Sequence, residues 1–359
     1  MRILTLADTK ALANMELVLD ALEPVYADMA NGAAGNIPRA DLLAPHADCP
    51  EAFHAFKTMS GSVPRYGTTA LRLNSDVVHW PGMGDQVRRV KIPAAAGDRW
   101  VGLVLLFDMG TGEPRAIFPD GYVQRMRVGA AGGLSSKYLA NKDASTLAVL
   151  GSGWQAGAQV LAHCAVRPIT AVRVWSPSRE NRERFARELS VEARAHVQAV
   201  DEPQAAVADA DIVACATNAL AHVFQADWLQ PGMHLTNVRM QELPPEVYAR
   251  SDRVFVHSAE GQPQHHFVGD EGAALPELQA GWFHPAYRDF DLASVPTLAD
   301  LIAGKATGRQ STDEITSFVN NIGLGTQFAA VGAKMLEKAQ AEGIGHELPL
   351  DWFLQDVHP

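Results

Sequence analysis

The chain has 359 residues, long for one compact domain and comfortable for two. Its 47% hydrophobic and 20% charged content is that of an ordinary soluble globular protein, and a net charge of −11 argues against a nucleic-acid binder while leaving room for a local basic pocket. Three cysteines (Cys49, Cys164, Cys215) without CxxC spacing, no signal-peptide pattern and no membrane-length apolar run predict reduced thiols and a cytoplasmic location.

Residues 3–6 predict a short strand, followed by an amphipathic helix capped by Asp8 or Thr9, with Leu12, Met15, Leu19 and Leu22 near helical spacing. Pro24 interrupts that pattern, so a kink or restart is expected there. A glycine-rich turn then leads to Ile37-Pro38-Arg39. Short strands are predicted at residues 41–43, 53–59, 69–73, 77–80 and 101–107, with an antiparallel pair turning at residues 108–112. The first third therefore reads as a mixed or antiparallel sheet. Residues 121–140 read as a helix rich in glycine and alanine, suited to close packing.

Next comes an apolar run, Thr146–Leu150, that delivers the chain into Gly151-Ser152-Gly153, then a helical pattern from Gln155 and a second β-rich run at residues 171–175. Strand, glycine turn, helix and strand are the context a dinucleotide fingerprint requires. Gly151 allows the tight turn, and Gly153 lets backbone approach a pyrophosphate. Ala156 stands in the third glycine position and keeps helix and strand close. Ser152, Trp154 and Gln155 complete the turn and the helix N-terminus, whose free N–H groups favour an anion. The competing reading is a plain glycine turn in an α/β core.

Further strands at residues 196–200, 211–216, 234–238 and 253–257 continue the alternation of a doubly wound parallel sheet. Residues 313–342 read as a long helix, and the apolar tail, with Leu348, Leu350, Trp352 and Phe353, is expected to dock on this or a neighbouring subunit. His265-His266 reads as loop, and no metal site is expected. At the end of the second parallel strand no acid precedes Glu180. Ser176, Ser178 and Arg179 there suit a 2′-phosphate, so NADP(H) is expected over NAD(H), with NAD(H) still possible. Thr217, Asn218, Asn237 and Val238 fall at the carboxyl edge of the fourth and fifth strands, where the cofactor is expected to lie.

Four features resemble the ornithine cyclodeaminase/μ-crystallin family. They are the Gly-x-Gly-x-Gln-Ala form at residues 151–156, the stretch from Leu103 through TGEP and DGY to Ala131, the order Pro231-Gly232-Met233-His234, Glu242-Leu243, Gly269-Asp270, and the ending Gly343-Ile344-Gly345. The Asp351-Trp352-Phe353 and Asp356–Pro359 pattern resembles a divergent branch named for the second component of a tyramine oxidase, a name that says little about chemistry.

The resemblance implies an α/β fold: a Rossmann doubly wound parallel sheet (residues 123–312) plus a discontinuous mixed-sheet substrate-binding and dimerisation domain (residues 1–122 and 313–359). It also implies a homodimer, NAD(H) or NADP(H), and action on an amino acid or its imine, with one branch known as a binding protein. By the same resemblance Arg127 grips the substrate carboxylate, and Arg39 matches an earlier substrate arginine.

The family's catalytic lysine falls at Arg72, which can hold a carboxylate but does not give up its proton at ordinary pH. Lys91 is the nearby lysine expected to substitute, although its placement needs a different gap. The family's Asp-bearing loop is missing, because the chain runs directly from Asn237 to Leu243. His257, His79 and Asp85 are the remaining candidates for an acid. These departures favour reduction of an imino acid or ketimine, or the reverse dehydrogenation, over cyclodeamination. They also motivate the alternative of a nicotinamide-nucleotide-binding protein without turnover.

Overall fold

The computed structural model describes residues 1–83, 86–87, 90–259, 263–269 and 294–356. Asp85, Asp270 and residues 357–359, singled out by the sequence, lie outside the described residues. Among the described residues, backbone pairing produces a nine-stranded mixed sheet, a seven-stranded sheet that is parallel throughout, and one small two-stranded pair.

In the mixed sheet, β2 (Gly35–Pro45), β3 (Ala52–Val63), β4 (Thr68–His79), β8 (Val101–Asp108) and β9 (Pro114–Pro119) run antiparallel in that spatial order. β1 (Arg2–Ile3) joins β9, β18 (His346–Glu347) joins β1, β16 (Gln264–Phe267) runs parallel beside β2, and β7 (Val90–Ile92) pairs with the end of β4. β5 (Gly82–Met83) and β6 (Gln86–Val87) pair only with each other. Burial alternates along β4 and along β3 from Phe53 onward, which gives the sheet one covered and one half-exposed face.

The two strands expected at residues 69–73 and 77–80 are one. Asn74 and Asp76, which look like turn residues, point inward; Asn74 donates to Val101 O at 3.1 Å and Asp76 meets Lys91 at 2.8 Å. Tertiary partners here override local turn preference. The expected turn at residues 108–112 is present. The Asp108 carboxylate accepts from the N–H groups of Gly110 (2.8 Å) and Thr111 (3.1 Å).

α1 (Leu6–Leu12) starts at Thr5, which forms a capping box with Asp8, so neither Asp8 nor Thr9 is the cap. α2 (Met15–Ala30) starts at Asn14 and continues through Pro24 without ending. α3 (Asp120–Leu139) carries the small-residue stripe and packs on α4 (Trp154–Val166). A Cβ at Gly129 would lie 2.5 Å from Ala158 O, so the close approach depends on glycine.

The parallel sheet has the order β12 (His196–Ala199), β11 (Ala171–Trp175), β10 (Thr146–Leu150), β13 (Ile212–Cys215), β14 (His234–Asn237), β17 (Thr316–Val319), β15 (Arg253–Val256). Its central strands are buried along nearly their whole length, as a sheet covered on both faces requires. α4, α5 (Arg179–Glu192), α6 (Pro203–Val207) and α7 (Pro245–Arg250) complete this half, while α8 (Leu298–Ile302) buries Leu298, Ala299 and Leu301 in the core it shares with α2.

Residues 313–342 are not one helix. Thr316–Val319 is a fully buried strand inserted between β14 and β15, and the helix α9 (Gly325–Glu342) begins only after Asn320–Leu324. Phe318 and Phe328, both fully buried, anchor the strand and the helix, each worth roughly 1.5–3 kcal/mol of burial. Two segments thus sit on the other side of the expected boundaries: β17 belongs to the parallel sheet, and β16, read as loop, belongs to the mixed one. α9 covers the inner face of β3 and β4 and shares a core with α2 and α3. The tail is exposed on this chain, with Trp352 at 69% and Leu354 at 54%.

Candidate active site

The glycine turn leaves β10 at Leu150. Gly151 has φ +124°, and a Cβ there would lie 2.3 Å from Ala216 O at the end of β13, so only glycine lets the two strand ends meet. Gly153 is the N-cap of α4, and space beside it is open. Ala156 is fully buried against the sheet, as a small third-position residue should be. Trp154 stands half-exposed with the Arg125 guanidinium 4.4 Å from its ring centroid. A cleft of ≈ 380 Å³ opens beside the turn, bordered by Ser152, Gly153, Trp154 and Asn181. The buried Gln155 Oε1 has no partner among the described residues. Positive φ, open backbone and a thirteen-residue helix N-terminus fit a pyrophosphate.

Ser152 Oγ donates to Ser176 Oγ at 2.8 Å, and Ser176 Oγ donates to Ser178 O at 3.3 Å. Ser178 caps α5 by accepting from Asn181 N–H. Arg179, the first residue of α5, is exposed and bonded to Glu183 at 2.7 Å. At the next strand end Thr217 donates to Glu242 Oε1 through both N–H (2.5 Å) and Oγ1–H (2.7 Å), while Val238 and Arg239 N–H groups donate to Oε2. Glu242 is fully buried. Burial raises its pKa, and those four bonds pull it back. It therefore ties the ends of β13 and β14 together, a role its sequence position did not announce. Asn218 lies in the same loop after β13. Asn237 turns inward, donating to Tyr248 Oη at 2.8 Å, so its side chain supports the edge from behind.

Against the mixed sheet, Arg72 on β4 and Arg127 on α3 are both buried and stack over the same ring, Phe328 of α9, at 5.7 and 5.4 Å. Arg72 Nε donates to Asp120 at 2.7 Å, and its Nη2 reaches Gln124 at 3.4 Å. Arg127 has no carboxylate partner among the described residues. Its Nη1 donates to Gln327 Oε1 at 3.0 Å, and its Nε is buried without a partner there. Burial first, and Arg72 second, disfavour its charged form. Two guanidiniums and one carboxylate make a buried site with a surplus positive charge, suited to one anion.

Arg39 is bonded to Asp41 on β2 and lies near enough to Arg127 for their charges to repel. Lys91 does not join this group. Its backbone pairs with Val78, and its Nζ meets Asp76 at 2.8 Å, four residues along β4 from Arg72, or about 13 Å. A second lysine, Lys57, reaches the same Asp76 carboxylate. It is buried on β3, directly opposite Asp41 and Asn74, and 3.6 Å from Asp76, which corrects the expectation that Lys91 alone could substitute. His79 ends β4 on its half-exposed face. His257 lies buried behind Arg127, bonded to Tyr26 and to Ile322 O.

Among known proteins, the profile of the ornithine cyclodeaminase/mu-crystallin family matches residues 91–343. The chain belongs to that family. The matched span of the family profile contains Arg127 and the glycine turn, whereas Arg39 and Arg72 precede it. A Δ(1)-pyrroline-2-carboxylate reductase of Bacillus cereus is 31% identical over 69% of this chain and 74% of its own length. A protein of Sinorhizobium fredii described as an uncharacterized cyclodeaminase is 28% identical over 96% of this chain and 98% of its own. The solved Δ(1)-pyrroline-2-carboxylate reductase of Thermococcus litoralis, in complex with NADH and L-proline, superposes with a TM-score of 0.77 at 25% identity, covering 97% of this chain and 100% of that one. Family membership agrees with the expected parallel dinucleotide-binding sheet beside a mixed sheet.

Proposed function

We propose that this family member is an NAD(P)H-dependent reductase of an imino acid or ketimine, able to run in reverse as an amino-acid dehydrogenase. The observation that carries the reading is the buried Arg72–Arg127 pair over Phe328, with Asp120 the one carboxylate bonded to it among the described residues, in a chain that also holds an open glycine turn. A bound nicotinamide supplies the hydride. Gly151, Gly153 and the α4 N-terminus would hold its pyrophosphate, and the end of β11 its adenosine ribose.

Arg127, with Arg72 and Arg39 beside it, holds the substrate carboxylate and fixes which face of the C=N bond is presented. A protonated iminium brings its own proton, so reduction demands no residue equivalent to the absent Asp. Glu242 is committed to four donors and is not available as a replacement base for cyclodeamination.

The reading is tested by following oxidation of NADPH and NADH with Δ1-pyrroline-2-carboxylate and with acyclic imino acids formed from 2-oxo acids and ammonia. Saturable turnover is expected. Tight nucleotide binding with no turnover of any imino acid would instead make the chain a nicotinamide-nucleotide-binding protein, and ammonia release from ornithine would make it a cyclodeaminase.

NADP(H) is the proposed preference, because Ser176, Ser178 and Arg179 stand where an NAD enzyme usually places an acid. The exposed Arg179–Glu183 pair is weak enough to be exchanged for a phosphate. Arg179→Ala should raise KM for NADPH about tenfold and leave KM for NADH within about twofold. Equal changes would remove the preference.

A homodimer built on the half-exposed face of the mixed sheet is also proposed. Phe56, Leu71, Leu73, Leu103, Leu105 and Phe107 are only partly covered there. Light scattering of the purified chain tests it, with a monomeric mass as the contrary result.

A further inference from the structure

Behind Arg127 lies a chain of three buried side chains, His257, Tyr26 and Gln327, brought together from distant parts of the sequence. His257, just past β15, directs Nδ1 at Ile322 O, and its Nε2 lies 2.7 Å from Tyr26 Oη on α2. Gln327 on α9 donates through Nε2 to Tyr26 Oη (2.9 Å) and to Arg127 O (3.4 Å), and accepts at Oε1 from Leu324 N–H (3.1 Å) and Arg127 Nη1 (3.0 Å). Exposure is 1% for Tyr26, His257 and Gln327 and 4% for Arg127.

The donors in this chain have only one consistent assignment. A carbonyl only accepts, so Nδ1 of His257 carries the hydrogen and Nε2 is bare. Tyr26 O–H must then donate to Nε2, and its oxygen accepts from the Gln327 amide. That fixes the Gln327 carbonyl toward Arg127. Burial pushes His257 down to about 4, so the neutral ring the chain requires is the form present at neutral pH. Gln327 has every donor and acceptor used and cannot turn over without losing four bonds.

The result at Arg127 is specific. Nη1 is taken by Gln327, while among the described residues Nε has no partner and no other hydrogen bond reaches this guanidinium. The Nε–Nη2 edge, which grips a carboxylate side-on, is the edge left for a ligand.

We propose that Tyr26, His257 and Gln327 are positioning residues for the substrate carboxylate, holding Arg127 by Nη1 so that its Nε–Nη2 edge faces the substrate. The proposal rests on the imino-acid reductase reading above and adds how its central arginine is aimed. A structural network alone would stabilise the fold without favouring substrate affinity over turnover or cofactor binding.

The test uses the full-length protein. In Tyr26→Phe, KM for Δ1-pyrroline-2-carboxylate should rise about tenfold while kcat stays within about twofold. NADPH affinity, read from quenching of tryptophan emission, should be unchanged. His257→Gln can donate to Ile322 O and accept from Tyr26, so it should keep a near-native KM, whereas His257→Leu should match Tyr26→Phe. Gln327→Glu sets a carboxylate on Nη1 that competes with the substrate for the Arg127 charge, and should raise KM further. If KM is unchanged in Tyr26→Phe and Gln327→Glu, or if kcat and NADPH affinity fall along with it, the proposal is overturned. If Tyr26→Phe does not fold, Gln327→Glu and the two His257 variants decide alone. Failure of the wild type to reduce any imino acid overturns the underlying reading instead.

Discussion

The two halves of this site are built on opposite balances of charge. The cofactor half is made of backbone: Gly151, Gly153, the first turn of α4, and strand ends tied by a Glu242 whose oxygens are all satisfied. The substrate half is made of long side chains from β4, α3 and α9, and it is left electrostatically unbalanced, with Arg127 lacking a carboxylate among the described residues. A backbone site serves an invariant ligand and contributes to folding as it stands. A side-chain site with a surplus charge destabilises the free protein until its ligand neutralises it.

That contrast predicts opposite signs of stability for the two kinds of damage. Arg127→Met removes a buried, unbalanced charge and keeps an apolar stem over Phe328. It should lower kcat/KM for the imino acid about 10³-fold while leaving the melting temperature of the free protein equal or higher. A melting temperature several degrees lower would show that Arg127 is a structural residue. Gly151→Ala should do the reverse. Its methyl meets Ala216 O, so NADPH affinity should fall about a hundredfold and the protein should lose a few kcal/mol. Unimpaired nucleotide binding in that variant would dissolve the distinction between the halves.

The most gradual effect concerns pH, and both halves share it. Burial holds His257 down to about 4, His163 down to about 3 and His234 well below its usual value. The unfolded chain takes up these protons near pH ~6.5 and the native state does not. Stability from these groups is therefore full above about pH 7 and declines as pH falls toward 4, with His257 alone worth about 3 kcal/mol across that window. Urea unfolding midpoints between about pH 7.5 and 4.5 measure it. In His257→Gln the slope should be shallower, and an unchanged slope would refute the assignment.

The cofactor half was legible because its signal is local. Gly151, Gly153 and Ala156 fall within six residues, and the strands on either side announce themselves by apolar runs that the structure returns almost residue for residue. Thr316–Val319 was lost in the same half because a four-residue buried strand next to a long helix has no periodicity of its own. In the substrate half the arginines could be named from motifs, but not what surrounds them. Tyr26 is separated by 231 positions from His257 and by 301 from Gln327, and nothing in the neighbourhood of each marks it as polar core. Lys57 was hidden in the same way, since only the register of β2, β3 and β4 turns it inward between Asp41 and Asp76.

The 200-residue separation of Arg127 from Gln327 has a consequence during synthesis. At about 5–20 residues per second, α3 leaves the ribosome some ~10–40 s before α9 can supply Gln327 and the Phe328 ring. Until then Arg127 has neither the amide that directs it nor the surface it stacks on, and the inner face of β3 and β4 has no cover. The nascent chain therefore passes through a period in which its basic residues are accessible to any polyanion nearby. Burial of the charge, and with it the appearance of an anion site, waits for α9.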